Sequence, residues 1–253
     1  MVGFFEKLKL LEERKRAYRE RLSALSPEKQ RAVEDDVWAE AAGLASFLSP
    51  DSRQKATVLE AQQKLSQAFG MVRSFGKNEE VTPAFMMDLH YLLLKDADKW
   101  NAGRYRRTAA RWNGSTMIMS NWASIPSLMN HLCDNINANG DTSFYASDRT
   151  NDQLRKMAHN PVIRAIEAGY STIATHPFAD ANKRIARLNM ALILSRANHI
   201  PLTIHNKQDF VRGVENYCAT HQPHQFVRTM LKQMDDSYDT AFHFLRKQER
   251  GGR

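Results

Sequence analysis

The stretch Thr175-His176-Pro177-Phe178-Ala179-Asp180-Ala181-Asn182-Lys183-Arg184-Ile185-Ala186-Arg187 gathers the residue types that phosphate chemistry asks for. A histidine side chain, with an ordinary pKa of about 6.5, suits taking a proton from an attacking hydroxyl near neutral pH, and His176 is placed for that role. Asp180 is a hard oxygen ligand of the kind magnesium takes. Asn182, Arg184 and Arg187 are donors for anionic oxygens, together with the backbone amides around Ala181 and Lys183, and the two arginines stand three apart on one helix face. Phe178 is expected to point inward and pin the turn. Singly, each has a plain structural reading: a turn histidine, a helix-capping aspartate, solvated arginines. Their joint order is what points to chemistry.

The elements on either side decide how these groups are held. Ile163, Ile166, Tyr170 and Ile173 precede the stretch at helical spacing, and Leu188, Ala191, Leu192 and Leu194 follow it. The stretch is therefore a loop feeding a helix start. The amides there have no partner inside the helix and carry partial positive charge, a ready seat for phosphate.

The order His-x-Phe-x-Asp-x-Asn-x-Arg-x-x-Arg resembles the signature of the Fic family, enzymes that move part of a nucleotide, most often AMP, onto a hydroxyl of a target protein. Further landmarks resemble the family in its own order: Val81-Thr82-Pro83 through Leu94 with His90, Gly103-Arg104-Tyr105-Arg106, Ile125-Pro126-Ser127-Leu128-Met129, and His159-Asn160-Pro161-Val162-Ile163. The resemblance spans residues 52–235. It implies an all-α, Fic-like helical bundle with a small β-hairpin flap over the active site. It also implies His176 as general base, Asp180 as the magnesium ligand, and Phe178, Ala181, Asn182, Lys183, Arg184 and Arg187 around an ATP substrate. The flap, which in the family holds the target's backbone, falls on Arg111, Trp112, Asn113, Gly114, Ser115, Thr116 and Met117, where the Asn-Gly pair between β-favouring runs independently predicts a hairpin turn.

Two departures bear on activity and control. AMP-transferring members mostly carry glycine where this chain has Ala181 and Lys183, and lysine brings bulk and charge into the phosphate nest. The run Asp-Ala-Asn-Lys-Arg looks like the Doc toxins, which turn the nucleotide around and transfer the terminal phosphate; Arg187 belongs to the AMP-transferring pattern. AMP transfer is the first reading, a Doc-like kinase the second and a catalytically silent Fic-shaped interaction module the third. Many Fic proteins are also held off by a helix whose glutamate pairs with the second signature arginine. Ala56-Thr57-Val58-Leu59-Glu60-Ala61 approximates that helix motif, within an inhibitory helix over 52–70, and nominates Glu60 to pair with Arg187.

Along the rest of the chain, amphipathic spacing predicts a helix over residues 4–22. Ser26-Pro27-Glu28 opens a second that runs to about Leu48, and a third starts at Asp51 and runs to about Phe69 or just beyond. Thr82-Pro83 opens a fourth, with His90 read as structural. Helices are further expected from Ile125 to about Ile136, on both sides of the signature, and through Phe210–Tyr217 and Phe226–Met234; residues 137–149 read as a loop and 246–253 as a frayed basic tail. Residues 1–50 are read as an N-terminal helical extension and 51–245 as the Fic domain. Cys133 and Cys218 read as small core hydrophobes, not a disulfide or metal pair. The net charge of +8 suits nucleic acid, an acidic partner or nucleotide phosphates and carries no specificity. The partners implied are a nucleoside triphosphate and a target protein with a hydroxyl side chain, with neither membrane nor nucleic acid, and self-association stays open. A cytoplasmic protein is expected, with delivery into another cell the alternative.

Overall fold

The computed structural model describes residues 2–46, 55–111, 119–138, 157, 159–220 and 224–250. Its helices are α1 (Val2–Ser23), α2 (Pro27–Ser46), α3 (Lys55–Ser74), α4 (Pro83–Leu94), α5 (Ile125–Asn137), α6 (Pro161–Thr175), α7 (Asn182–Arg196), α8 (Lys207–Thr220) and α9 (His224–Arg250). A short 3-10 turn, Trp122–Ser124, leads into α5. Local rules account for several starts. Thr82 Oγ1 accepts from the Phe85 amide at 3.2 Å ahead of Pro83, and Asn160 Oδ1 accepts from Val162 at 2.9 Å ahead of Pro161.

The described residues contain no strand. The expected hairpin falls on residues 112–118, outside the described residues, and only Arg111 at its start is seen, exposed to solvent. The expected start of the third helix at Asp51 and the loop over 139–149 fall outside them too.

The central pair is α6 and α7, each buried along nearly its whole length. Gly169 makes their close approach possible: a Cβ there would meet Met190 Sδ at 2.7 Å. Asn189 Nδ2 donates to Thr172 Oγ1 at 2.9 Å, tying the two helices by a buried polar bond. Around this pair α3, α4, α5 and α9 pack, and α1 and α2 share the same hydrophobic core through Leu11, Tyr18, Val33 and Ala41. No described helix is long and apolar enough to cross a membrane.

The carboxyl-terminal helix corrects one expectation. Residues 246–250 are helical, not frayed: Arg21 pairs with Glu249 at 2.7 Å, and Lys29 Nζ donates to the Gln248 carbonyl at 3.1 Å. Upstream, Arg14 pairs with Asp235 and Asp239, so a run of cross-helix contacts holds α9 on α1 to its last turn. Cys133 is buried, and burial raises its thiol to about 12; the Cys218 side chain lies outside the described set.

Candidate active site

The loop between α6 and α7 is closed on itself before anything binds to it. Asn182 Oδ1 accepts from the Phe178 amide and its Nδ2 donates to the Phe178 carbonyl, both at 2.9 Å, and Asn182 is 4% exposed. The Asn182 side chain is therefore a clamp across the turn, using its oxygen and one of the two N–H groups on Nδ2. Phe178 is fully buried and stacks on His90, centroids 3.9 Å apart and planes within 7°. Fully burying a phenylalanine is worth about 1.5–3 kcal/mol, enough to fix the turn's position against α4.

His90 works as the prop behind that ring. The Gly103 amide donates to its Nδ1 at 2.9 Å, so Nδ1 is the acceptor and Nε2 carries the hydrogen, directed at the Asp180 carbonyl at 3.3 Å. Gly103 has φ 70°, and a Cβ there would sit 3.1 Å from Tyr91 Cβ, so the approach needs glycine twice over.

His176 is the left-handed cap of α6, φ 48° and ψ 59°. Its Nδ1 is buried without a hydrogen-bond partner. Burial, then the nearby cations Arg106 and Lys183, pull its pKa down to about 4, against a smaller opposite pull from Asp180 and the Ile173 carbonyl. The imidazole is thus neutral at pH 7, the form that accepts a proton.

Arg106 holds this histidine in place, a role the sequence left unassigned. It is 5% exposed and has no carboxylate partner among the described residues. Its Nε donates to the His176 carbonyl, Nη1 to Thr108 and Nη2 to Ser120, each at 2.6 Å, with Thr175 at 3.3 Å, while its own amide donates to Pro177. A cation on the carbonyl end of α6 is also favoured by the helix dipole. The one sequence signal was its place in the Gly103–Arg106 landmark.

On the other lip, Ala181 is left-handed, φ 61° and ψ 7°, and no side chain caps the start of α7. Alanine there costs about 1–2 kcal/mol, so the turn keeps at some expense the geometry that glycine supplies in the resembling family. Asp180 is exposed; its carboxylate accepts from the Ala181 amide at 2.5 Å and from Arg184 Nη2 at 3.3 Å. Arg184 is itself largely buried. Arg187 is 1% exposed, its Nη2 makes a marginal 3.5 Å contact with the Ala41 carbonyl, and its Nε and Nη1 have no hydrogen-bond partner among the described residues. Burial brings its pKa down to about 9.

The Glu60–Arg187 pair expected from the sequence is not formed. Glu60 stands on the outer side of α3 with its side chain 56% exposed and pairs with Lys64 at 3.4 Å, which also binds Asp96. Lys64 is the same-helix neighbour four residues on, and it competes for the carboxylate without the cost of burying it.

The depressed histidines make stability depend on acid. At pH 5 an unfolded chain binds protons on His90 and His176 that the folded chain, with both pulled down to about 4, does not. Unfolding free energy therefore falls as pH drops from about 6.5 towards 4, by up to about 1.4 kcal/mol per pH unit for each group. Glu12, lowered to about 2 mainly by its bond to His199, adds a loss between 4.5 and 2. Urea titrations at pH 7.5, 6 and 5 are expected to give falling midpoints; a constant midpoint across that range contradicts the burial of these imidazoles.

Three comparisons bear on this loop. The model of the Fic/DOC family matches residues 80–194. The chain is 27% identical over 166 residues to protein adenylyltransferase fic-1 of Caenorhabditis briggsae, a match covering 64% of this chain and 29% of that relative. The chain thus spans less than a third of the length of the curated relatives it matches. Among solved structures, Fic-1 (aa134–508) of Caenorhabditis elegans superposes with a TM-score of 0.72 at 14% identity, covering 96% of this chain and 74% of that one. A histidine-to-alanine form of IbpAFic2 in complex with adenylylated Cdc42 gives 0.55 at 15% identity, with 93% and 77% covered. At these identities the superpositions speak for the fold alone; it is the match of the family model that places a Fic/DOC domain at residues 80–194, a span that takes in α6, the propped loop and most of α7.

Proposed function

We propose that the chain is a Fic-type transferase that moves AMP from ATP to a Ser, Thr or Tyr hydroxyl of a target protein. The observation that carries this reading is Arg187: an enclosed guanidinium with two donating nitrogens unpartnered, within the first turns of an uncapped helix. A buried charge is costly without a counter-charge, and triphosphate oxygens at the start of α7 supply one. The strained left-handed Ala181 supports the same site, since it shapes the backbone into an anion nest.

In the transfer, the hydroxyl oxygen attacks the α-phosphorus and a new P–O bond forms as the bond to the β-phosphate breaks and pyrophosphate leaves. The hydroxyl proton passes to His176. The imidazole, neutral at pH 7, has a ring nitrogen able to accept it. Arg184, Arg187 and the amides at the α7 start hold the phosphates. Asp180, an exposed carboxylate, fits magnesium and would be the residue to hold it; the ion would supply neutralisation of phosphate charge. The match to relatives named adenylyltransferases supports AMP as the group moved, and the neighbour bound to adenylylated Cdc42 supports a protein as its acceptor.

Lys183, in place of glycine at the loop, favours a second reading in which the terminal phosphate is transferred. Incubation with magnesium and ATP labelled at either the α or the γ phosphate separates the two. Retained α label alone is expected; retained γ label alone establishes the kinase, and no label in protein with either overturns both in favour of a silent module.

A further inference from the structure

A hollow of about 650 Å³ opens beside the signature loop, lined by Met87, Trp100, Arg104, Arg107, Trp122 and Ala179, with buried Arg106 at its wall. Trp100 is 74% exposed and Trp122 47%, two of the few large hydrophobic side chains left in solvent. Isolated exposed aromatics need no explanation, but two lining one concavity do. Arg104 and Arg107 are exposed and have no ion-pair partner among the described residues, and no acid lines the hollow. Of the acids around it, Asp96 is engaged with Lys64, Asp98 with the Asn101 side chain at 2.6 Å, and Asp180 with Arg184 at 3.3 Å.

Resting on the transferase reading, we propose that this hollow docks an acidic segment of the target protein with apolar side chains between its carboxylates, beside the modified hydroxyl. Its aromatic floor takes the apolar side chains, and Arg104 and Arg107 take the carboxylates, in the bidentate geometry that suits arginine. Ala179 belongs both to the hollow and to the loop carrying His176, so a segment lying there is led directly to the base. A second copy of this chain is a poor occupant, because at a net charge of +8 the copies repel. Aromatic and arginine groups also suit single-stranded nucleic acid, but a short open concavity against a catalytic loop fits a peptide segment better than an extended strand.

The test follows the indole N–H signals of the full ¹⁵N-labelled chain. A synthetic peptide alternating Glu and Leu around one Thr is expected to shift the Trp100 and Trp122 signals and leave Trp38, which packs on Phe69, in place. The same peptide with Lys for Glu is expected to do nothing. In the double variant Arg104→Glu, Arg107→Glu the preference inverts, with at least tenfold weaker binding of the acidic peptide and gain of the basic one. Equal shifts with both peptides, no shifts, or shifts caused by an oligothymidine in place of the acidic peptide overturn the proposal. ATP binding, followed in parallel, keeps the failures apart: ATP bound without peptide sinks the docking surface alone, and peptide bound without ATP sinks the transferase reading.

Discussion

Exchanging His176 for asparagine is expected to lower group transfer by about 10²–10⁴-fold, the usual contribution of a positioned general base, while ATP affinity stays within about twofold. Asparagine is the informative replacement because His176 is left-handed, φ 48°, a conformation asparagine accepts and alanine resists. His176→Ala therefore mixes loss of the base with backbone strain of about 1–2 kcal/mol. Dependence on pH gives a second reading of the same group. With the imidazole pulled down to about 4, the rate should hold through pH 6 and fall only as pH approaches that value, whereas an exposed histidine would lose half its basic form near 6.5. Transfer that survives in His176→Asn, or that halves near pH 6.5, contradicts the assignment.

What the sequence made legible here is what local rules govern. Thr82-Pro83 and Asn160-Pro161 announce α4 and α6 because a capping oxygen and a proline act within a single turn. The signature was readable because its order is one-dimensional, and the family match over 80–194 lies inside the span the motifs marked out. Direction of side chains was not readable. Arg104, Arg106 and Arg107 are alike in sequence, yet only Arg106 turns inward, because it alone meets the carbonyls at the end of α6, some seventy residues on in the chain. Asn182 has the type of an anion-binding group and is used as a clamp, and Glu60 sits in a motif suggesting Arg187 and finds Lys64 instead. In each case the deciding partner comes from a distant segment or from a competition between neighbours, which residue type and spacing do not weigh.

The two buried arginines of the site should respond oppositely to the same change. Arg106→Met leaves the carbonyls of His176, Thr108 and Ser120 without their donors, and at about 1–3 kcal/mol for each buried acceptor left unsatisfied the loss is roughly 10 °C of melting temperature for a chain of this size. It also releases the backbone of His176, so transfer falls with stability. Arg187→Met removes a guanidinium that is enclosed and mostly unpartnered, and an apolar side chain of similar length in that place should raise stability by about 1–4 kcal/mol. Its cost appears only with nucleotide: ATP affinity is expected to drop by at least tenfold, because the charge that destabilises the empty fold is the one the phosphates require. Thermal melts of both variants with and without ATP and magnesium decide the matter. A lower melting temperature for ligand-free Arg187→Met would mean that its guanidinium is already neutralised inside the protein, and an unchanged one for Arg106→Met that the carbonyls around His176 are held by something other than this side chain.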